Sequence, residues 1–323
     1  MACNLKPKRY IAPVKISIVI PLLNEEQSLP ALWDALTAVL QSMGDAYSFE
    51  ILFVDDGSRD GSVKVIRSFP ASEHSVRIVS FSRNFGYQSA LTAGLEYAGG
   101  DAVVMMDCDL QHPPELIPQL VEEWRKGNHI VHARRSKQDE GLVKRLSSHL
   151  YAGLMARASD VHIEQNISDF RLVDRQVVDE LKRMGEQARF FRGMISWVGF
   201  NQAFVEYQQP NRIAGTTAWT WRGLIRLAID GLLGYSRFPL QLALWLGMLS
   251  VSLAVVFFCY ICFQHFVVGR PYQLFKWINV ITFGFVGMQF ILLWILGEYI
   301  GRILNEVRAR PLYIVKEVIS VQE

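Results

Sequence analysis

Two stretches of this chain, Phe238 to Gly269 and Trp277 to Gly297, contain no Asp, Glu, Lys or Arg. Each is long enough to cross a hydrocarbon core of roughly 30 Å as a helix. The short connection holding Arg270 and Lys276 makes them a helical hairpin with both protein ends on one side. Arg222, Arg226, Arg237, Arg302, Arg308, Arg310 and Lys316 lie near the outer ends, and positive-inside counting places those ends in the cytoplasm. The segment from Trp219 to Tyr235 has apolar residues at helical spacing with arginines between them. That pattern suits a helix in the membrane interface, with a helix packed on the soluble domain as the plainer alternative. The sequence thus predicts a cytoplasmic domain over residues 1–210, an interfacial amphipathic region over 211–237, a two-helix transmembrane hairpin over 238–300 and a cytoplasmic tail over 301–323.

The start of the chain, MACNLKPKRYIAPVK, is polar and basic and carries no secretory signal, so the first domain is expected to stay in the cytoplasm at an inner membrane. The four cysteines, Cys3, Cys108, Cys259 and Cys262, are too scattered for a disulfide framework and fit a reducing compartment. Cys259 and Cys262 form a CxxC inside an apolar run, where packing explains them better than redox or metal chemistry. A net charge of +2 gives nucleic acid binding no support.

Ahead of the apolar runs, the pattern alternates. Lys15 to Pro21 is a short β-branched run, followed by Leu29, Leu32, Leu36, Val39, Leu40 and Met43 at helical spacing. Strands over Glu50–Val54, Val76–Phe81 and Ala102–Met106 follow, each succeeded by a helical segment, the last opening at Pro113-Pro114 where proline is tolerated in a first turn. Such alternation predicts an α/β fold with a mostly parallel, Rossmann-like sheet covered on both faces. Ligands bind such sheets beyond the carboxyl ends of the strands. The residues there are polar: Asn24, Glu25 and Glu26; Asp55 and Asp56; Arg83 and Asn84; Asp107 and Asp109.

Asp107 and Asp109 alternate at a strand end and can point two carboxylates at one divalent cation bridging a diphosphate; oxygen ligands and incomplete coordination suit Mg²⁺ or Mn²⁺. An isolated D-x-D is more often a turn, but Asp55 and Asp56 at a neighbouring strand end reverse that balance. A carboxylate there can accept hydrogen bonds from a base or ribose.

Taken together, the segments IVIPLLNEEQSL (18 to 29), EILFVDDGSRDGS (50 to 62), SFSRNFGYQSALTAGL (80 to 95), MDCDLQHPPE (106 to 115), SDFRLVDRQVV (168 to 178), RFFRGMISWVGF (189 to 200) and RIAGTTAW (212 to 219) resemble the inverting family-2 glycosyltransferases of GT-A fold. The similarity is to their polyprenyl-phosphate branch, which includes dolichol-phosphate mannose synthase and the GtrB and ArnC types, and it covers nearly the whole chain. The resemblance implies transfer of a sugar from a nucleotide donor, UDP-linked by analogy with the bacterial enzymes, to polyprenyl phosphate. It implies a homo-oligomer, a tetramer in the GtrB type. Carried over by residue, Pro21, Asn24 and Glu25 line the nucleotide pocket with Asp55 near base and ribose; Asp107 and Asp109 handle metal and diphosphate beside Gln111. Arg134, Lys144, Arg145 and Ser148 lie in the segment that binds the acceptor phosphate. Asp169 is the carboxylate that orients the acceptor or takes a proton, with a structural pair to Arg171 as the plainer reading.

In one place the sequence departs from this pattern. The family's R-x-x-G-x-S/T-K segment has a lysine that contacts donor phosphates, and here that position is Ala218, with Arg212 retained as a partial substitute. A lost charged hydrogen bond costs roughly 1.5 to 3 kcal/mol. Ala218 therefore keeps a weakened or silent relative open as the alternative. A polysaccharide synthase would show Q-x-x-R-W and further spans, and RFFRG stands in the comparable place.

Overall fold

The computed structural model describes residues 13–70, 74–136, 167–187, 189–208, scattered positions between 245 and 267, and 274–321. It divides into two units, one built from the sheet and its helices, the other containing the long helix of residues 274–308.

In the first unit, strands β1 (Val14–Leu22), β2 (Tyr47–Asp55), β3 (Ser75–Phe81) and β4 (Ala102–Met105) alternate with helices α1 (Leu29–Ser42), α2 (Ser62–Arg67) and α3 (Tyr87–Tyr97). A short 3-10 turn at Pro114–Leu116 leads into α4 (Ile117–Arg125), then β5 (Ile130–Arg135). After it come β6 (Ile167–Asp174), α5 (Arg175–Arg183), α6 (Phe191–Trp197) and β7 (Gln202–Tyr207). The sheet runs β7-β5-β6-β4-β1-β2-β3-β8, where β8 is Val315–Ser320. β4, β1, β2 and β3 are mutually parallel, as the strand and helix alternation requires, while β6 enters antiparallel between β4 and β5.

The period-2 alternation of the strands splits the apolar residues between two cores. Ile16, Ile18 and Ile20 of β1 and Ile51 and Phe53 of β2 face α1 and α4. Val19, Leu52 and Val54 point the other way, toward Ala90, Leu91 and Ala93 of α3. Gly94 lets α3 approach β1 closely, because a Cβ there would sit 2.1 Å from a methyl of Val19. At the amino ends of the strands the buried Glu50 takes Lys15 at 2.6 Å and Arg77 at 3.3 Å. Burial raises its pKa, but hydrogen bonds from Lys15, Ser17 and the Gly99 N–H outweigh that and hold it low.

The tail expected over 301–323 does more than follow the long helix. Its β8 pairs antiparallel with the β3 edge, Ile319 opposite Ile78, and becomes the outermost strand on that side of the sheet. Stacking of Tyr313 on Phe81 at 4.8 Å, with the Tyr313 hydroxyl donating to Glu96, anchors its approach.

In the second unit the helix α7 (Leu274–Arg308) is 35 residues long. It contains the second expected span and leaves Phe290, Leu293, Trp294 and Ile303 exposed. Among the described residues no helix is both long and apolar enough to cross a membrane. Most of the first expected span, and the interfacial segment, lie outside the described residues.

Candidate active site

The loops at the carboxyl ends of β1 and β2 are laced together by their own side chains. Asn24, at a positive φ of 56°, accepts from the Arg59 N–H at 2.8 Å, and its own N–H donates to Ser58 at 2.9 Å. The Glu25 N–H donates to Ser62 at 2.9 Å, and its carboxylate accepts from the Ser28 hydroxyl at 2.8 Å at the start of α1. Asp55 is buried and accepts from the Ser58 N–H at 2.9 Å. Pro21 lies buried within β1 opposite Val54.

Asp56 has a different task from Asp55. Its two oxygens accept from the N–H groups of Phe85 at 2.7 Å and Gly86 at 2.9 Å, pinning the loop between β3 and α3. Burial pushes its carboxyl up, and those two bonds only partly offset the push. Gly57, at φ 76°, completes the junction, since a Cβ there would meet the Arg83 carbonyl carbon at 2.6 Å. These loops wall a cavity of about 820 Å³ that holds Asn24, Asp55, Arg83 and Asn84, and whose far side is formed by Lys316 and Glu317 of β8. That volume lies within the range of small-molecule sites, roughly 300 to 1,000 Å³.

A second cluster forms where β4 ends beside the start of β6. The register places Met105 opposite Arg171, so Asp107, two residues beyond, meets the segment holding Ser168 and Asp169. Tyr87 donates to Asp107 at 2.8 Å. The Asp107 N–H donates to Nδ1 of the buried His112 at 2.9 Å, so Nδ1 carries no proton and Nε2–H points to Ser168 at 2.6 Å. Burial lowers the His112 pKa, in keeping with a neutral ring. Its 3.5 Å approach to the Asp107 carboxylate is therefore not a charge pair. Burial pushes the Asp107 carboxyl up, and the charges of Asp169 and Asp109 push the same way against partial relief from His112 and Tyr87. Asp109 accepts from the Gln111 N–H at 3.1 Å. Cys108, between the two acids, is buried, and its burial raises the thiol's pKa well above the ordinary value.

Asp169 sits between two guanidinium groups. Arg171, almost fully buried, donates to it at 2.6 Å, and Arg192 from α6 grips both oxygens, Nε at 3.0 Å and Nη2 at 2.8 Å. Burial alone would raise its pKa, yet the two arginines outweigh burial and hold it at about 2. A carboxylate so acidic is a poor proton acceptor near neutrality. Of the two roles expected for Asp169, the geometry therefore favours orientation over proton transfer, and the pairing with Arg171 is part of that same clamp.

The structure thus gathers Asp107, Asp109, Gln111 and Asp169 at one place and Asn24 and Asp55 in the cavity beside it. Arg134, one residue before the end of β5, holds its guanidinium 4.0 Å above the Phe204 ring. Lys144, Arg145, Ser148, Arg212 and Ala218 lie outside the described residues. Sequence reasoning passed over Tyr87, His112, Ser168 and Arg192. The first two sit inside the motifs GYQS and QHPP, but nothing in their spacing announces a bond to Asp107.

The family model described as glycosyl transferase family 2 matches residues 17–182. The Bacillus subtilis glycosyltransferase YkcC is 37% identical over 310 residues, 96% of this chain and 95% of that protein. The bactoprenol glucosyl transferase of Shigella phage SfII is 37% identical over 305 residues, 94% of this chain and 98% of that one. A prophage bactoprenol glucosyl transferase homolog of Escherichia coli is also 37% identical, covering 94% of this chain and 99% of its own. Among solved structures, the glucosyl-3-phosphoglycerate synthase of Mycobacterium tuberculosis, solved with Mn²⁺, UDP-glucose and phosphoglyceric acid, matches at 20% identity and a TM-score of 0.46, covering 69% of this chain and 80% of that one.

Proposed function

We propose a reaction for this chain from one premise: it belongs to glycosyl transferase family 2 and is a glycosyltransferase. The reaction is transfer of a hexose from a UDP-linked donor to undecaprenyl phosphate, with inversion, at the cytoplasmic face of a bacterial inner membrane. The acceptor class is supported by the bactoprenol glucosyl transferases, which are similar over almost all of this chain. The observation that carries the reading is the pairing of a carboxylate cluster at the end of β4 with an arginine clamp at the start of β6.

The nucleophile is a phosphate oxygen, already anionic near neutral pH, so the site needs cations to hold it and no strong base. Arg192 meets that need. Its guanidinium is locked against Asp169 by two bonds, while its side chain stays 43% exposed, so its remaining N–H groups are preset for a second oxyanion. Arg171 braces the same carboxylate from the buried side. Arg134, with Lys144, Arg145 and Ser148, is the remaining acceptor-phosphate set in this reading.

On the donor side, Asp107 and Asp109 suit a hard divalent cation, Mg²⁺ or Mn²⁺, by their oxygen donors. Charge supports the same assignment, because the Asp107 carboxyl is pushed up by burial and by its neighbours' negative charges. Among the described residues no group of three possible ligands exists, so the donor diphosphate and water would complete the shell. Such a cation neutralises charge on the departing nucleoside diphosphate. Asn24, Asp55 and Gln111 hold the rest of the donor. A membrane hairpin over 238–300 and a homo-oligomer remain part of this proposal, the first resting on the uncharged runs and the second on the resemblance.

The test is transfer of radiolabelled sugar from UDP- and GDP-sugars to undecaprenyl phosphate, with Mg²⁺, with Mn²⁺ and with EDTA. A lipid-linked product that disappears with EDTA is expected from one donor. A product on a soluble acceptor but not on the lipid phosphate refutes the acceptor.

A further inference from the structure

The eighth strand carries a charge that the site described above does not use. β8 sets Glu317 opposite Ser80 and Val315 opposite Phe81, and this brings Lys316 to the wall of the cavity that holds Asn24 and Asp55. Glu317 is occupied by Arg67 at 3.3 Å. Lys316 is exposed, and no described carboxylate lies within ion-pair distance of it. Arg59 and Lys64 line the same cavity. With Arg67, Arg83 and Lys316 they make five cations in the lining, against the three carboxylates of Asp55, Asp60 and Glu317. The cavity therefore presents an excess of positive charge around a polar floor. A cleft of one sign with low-dielectric walls concentrates ligands of the other sign. A nucleobase alone gives no reason for such a rim, whereas a whole nucleoside diphosphate, being anionic, does.

We propose that Lys316 binds the donor nucleotide, so that the strand following the long 274–308 helix is a working part of the donor site. This rests on the reading that the donor's nucleoside enters the cavity beside Asp55. Neighbouring strands lie about 4.8 Å apart. The end of β4, where Asp107 stands, is thus about 10 Å from that of β2, and the wall formed by β8 is about as far again on the other side. Lys316 therefore acts at the nucleoside end and through long-range attraction, away from the bond that breaks. Its contribution belongs in capture of the donor and not in the chemical step.

The experiment measures UDP and GDP binding to the full chain by calorimetry, and sugar transfer alongside, for Lys316→Glu, Lys316→Arg and the isosteric Asp55→Asn. At about 50 mM salt, Lys316→Glu is expected to weaken the preferred nucleotide about tenfold and to raise the donor KM equally with kcat unchanged. At about 500 mM salt the gap shrinks to about threefold or less. Lys316→Arg stays within about twofold of wild type, because it keeps the charge. If Asp55→Asn weakens binding while Lys316→Glu binds as wild type, β8 is no part of the donor site and the inference is overturned. If neither variant changes binding, the nucleoside does not occupy this cavity, and the inference falls together with the reading it rests on. A loss in Lys316→Glu that salt does not diminish also overturns it, since a structural defect would not be screened.

Discussion

Replacing Asp169 by Asn tests the arginine clamp directly. Asp169 is four-fifths buried, and its carboxyl, ordinarily titrating at 3.8, is held at about 2. At about 1.4 kcal/mol per tenfold, that difference represents about 2 kcal/mol of folded-state preference for the ionised form. Because the folded pKa is depressed, this stabilisation is present above the unfolded value and lost as pH falls from about 4 toward 2. Asp169→Asn should therefore lower the urea unfolding free energy by at least about 2 kcal/mol at pH 7. The loss approaches 3 to 5 kcal/mol if the nearly fully buried Arg171 finds no other partner. The stability gap to wild type should narrow below about pH 4. In the transfer assay the variant should lose about 10²-fold or more in kcat/KM for the lipid phosphate, because Arg192 is no longer fixed, while donor KM changes little. The wild-type pH profile should show no acid limb attributable to Asp169 between about pH 5 and 7. An acid limb in that range that vanishes in Asp169→Asn would refute the clamp and restore Asp169 as a base.

Asp109→Ala should reduce turnover by about 10³-fold while leaving thermal unfolding nearly unchanged, and the residual rate should no longer respond to Mg²⁺ or Mn²⁺; near-normal, metal-dependent turnover sinks the assignment. Gly57→Ala should cost more than about 1 kcal/mol in stability and weaken nucleotide binding, because the new methyl meets the Arg83 backbone at 2.6 Å in a residue already at positive φ; unchanged binding would mean the Arg83 loop does not shape the donor site. Ala218→Lys should raise turnover or donor affinity about tenfold if the position faces the diphosphate, and an unaltered rate would place the segment elsewhere.

What the sequence made legible follows from how locally each feature is determined. The four parallel strands and their helices were readable because each is a short run whose period declares it, and the positions of Asp55, Asp107 and Asp109 at or just beyond strand ends were readable for the same reason. The division of labour between Asp55 and Asp56 was not. Only the folded loop shows that Asp56 spends both oxygens on Phe85 and Gly86. The grip of Arg192 on Asp169 joins residues 23 apart on different elements, and His112 serves by holding a backbone N–H and Ser168, roles that leave no periodic trace. β8 was hidden for a different reason. Val315–Ser320 is a six-residue run following a long apolar segment, and its partner, β3, lies more than two hundred residues earlier.

That separation has a consequence for how the molecule comes into being. The β3 edge is made early in translation and stays unsatisfied while the ribosome produces everything up to Val315. Through that interval it presents unpaired N–H and C=O groups of the kind that recruit foreign strands. A nascent chain therefore has reason to be shielded by chaperones until β8 emerges. Premature termination after the long helix would release a protein whose parallel core is intact and whose edge is open, a candidate for aggregation and proteolytic clearance. In such a product the cavity beside Asp55 would lack one wall, so the shape of that cavity and the fate of the chain in quality control would depend on arrival of the same few residues.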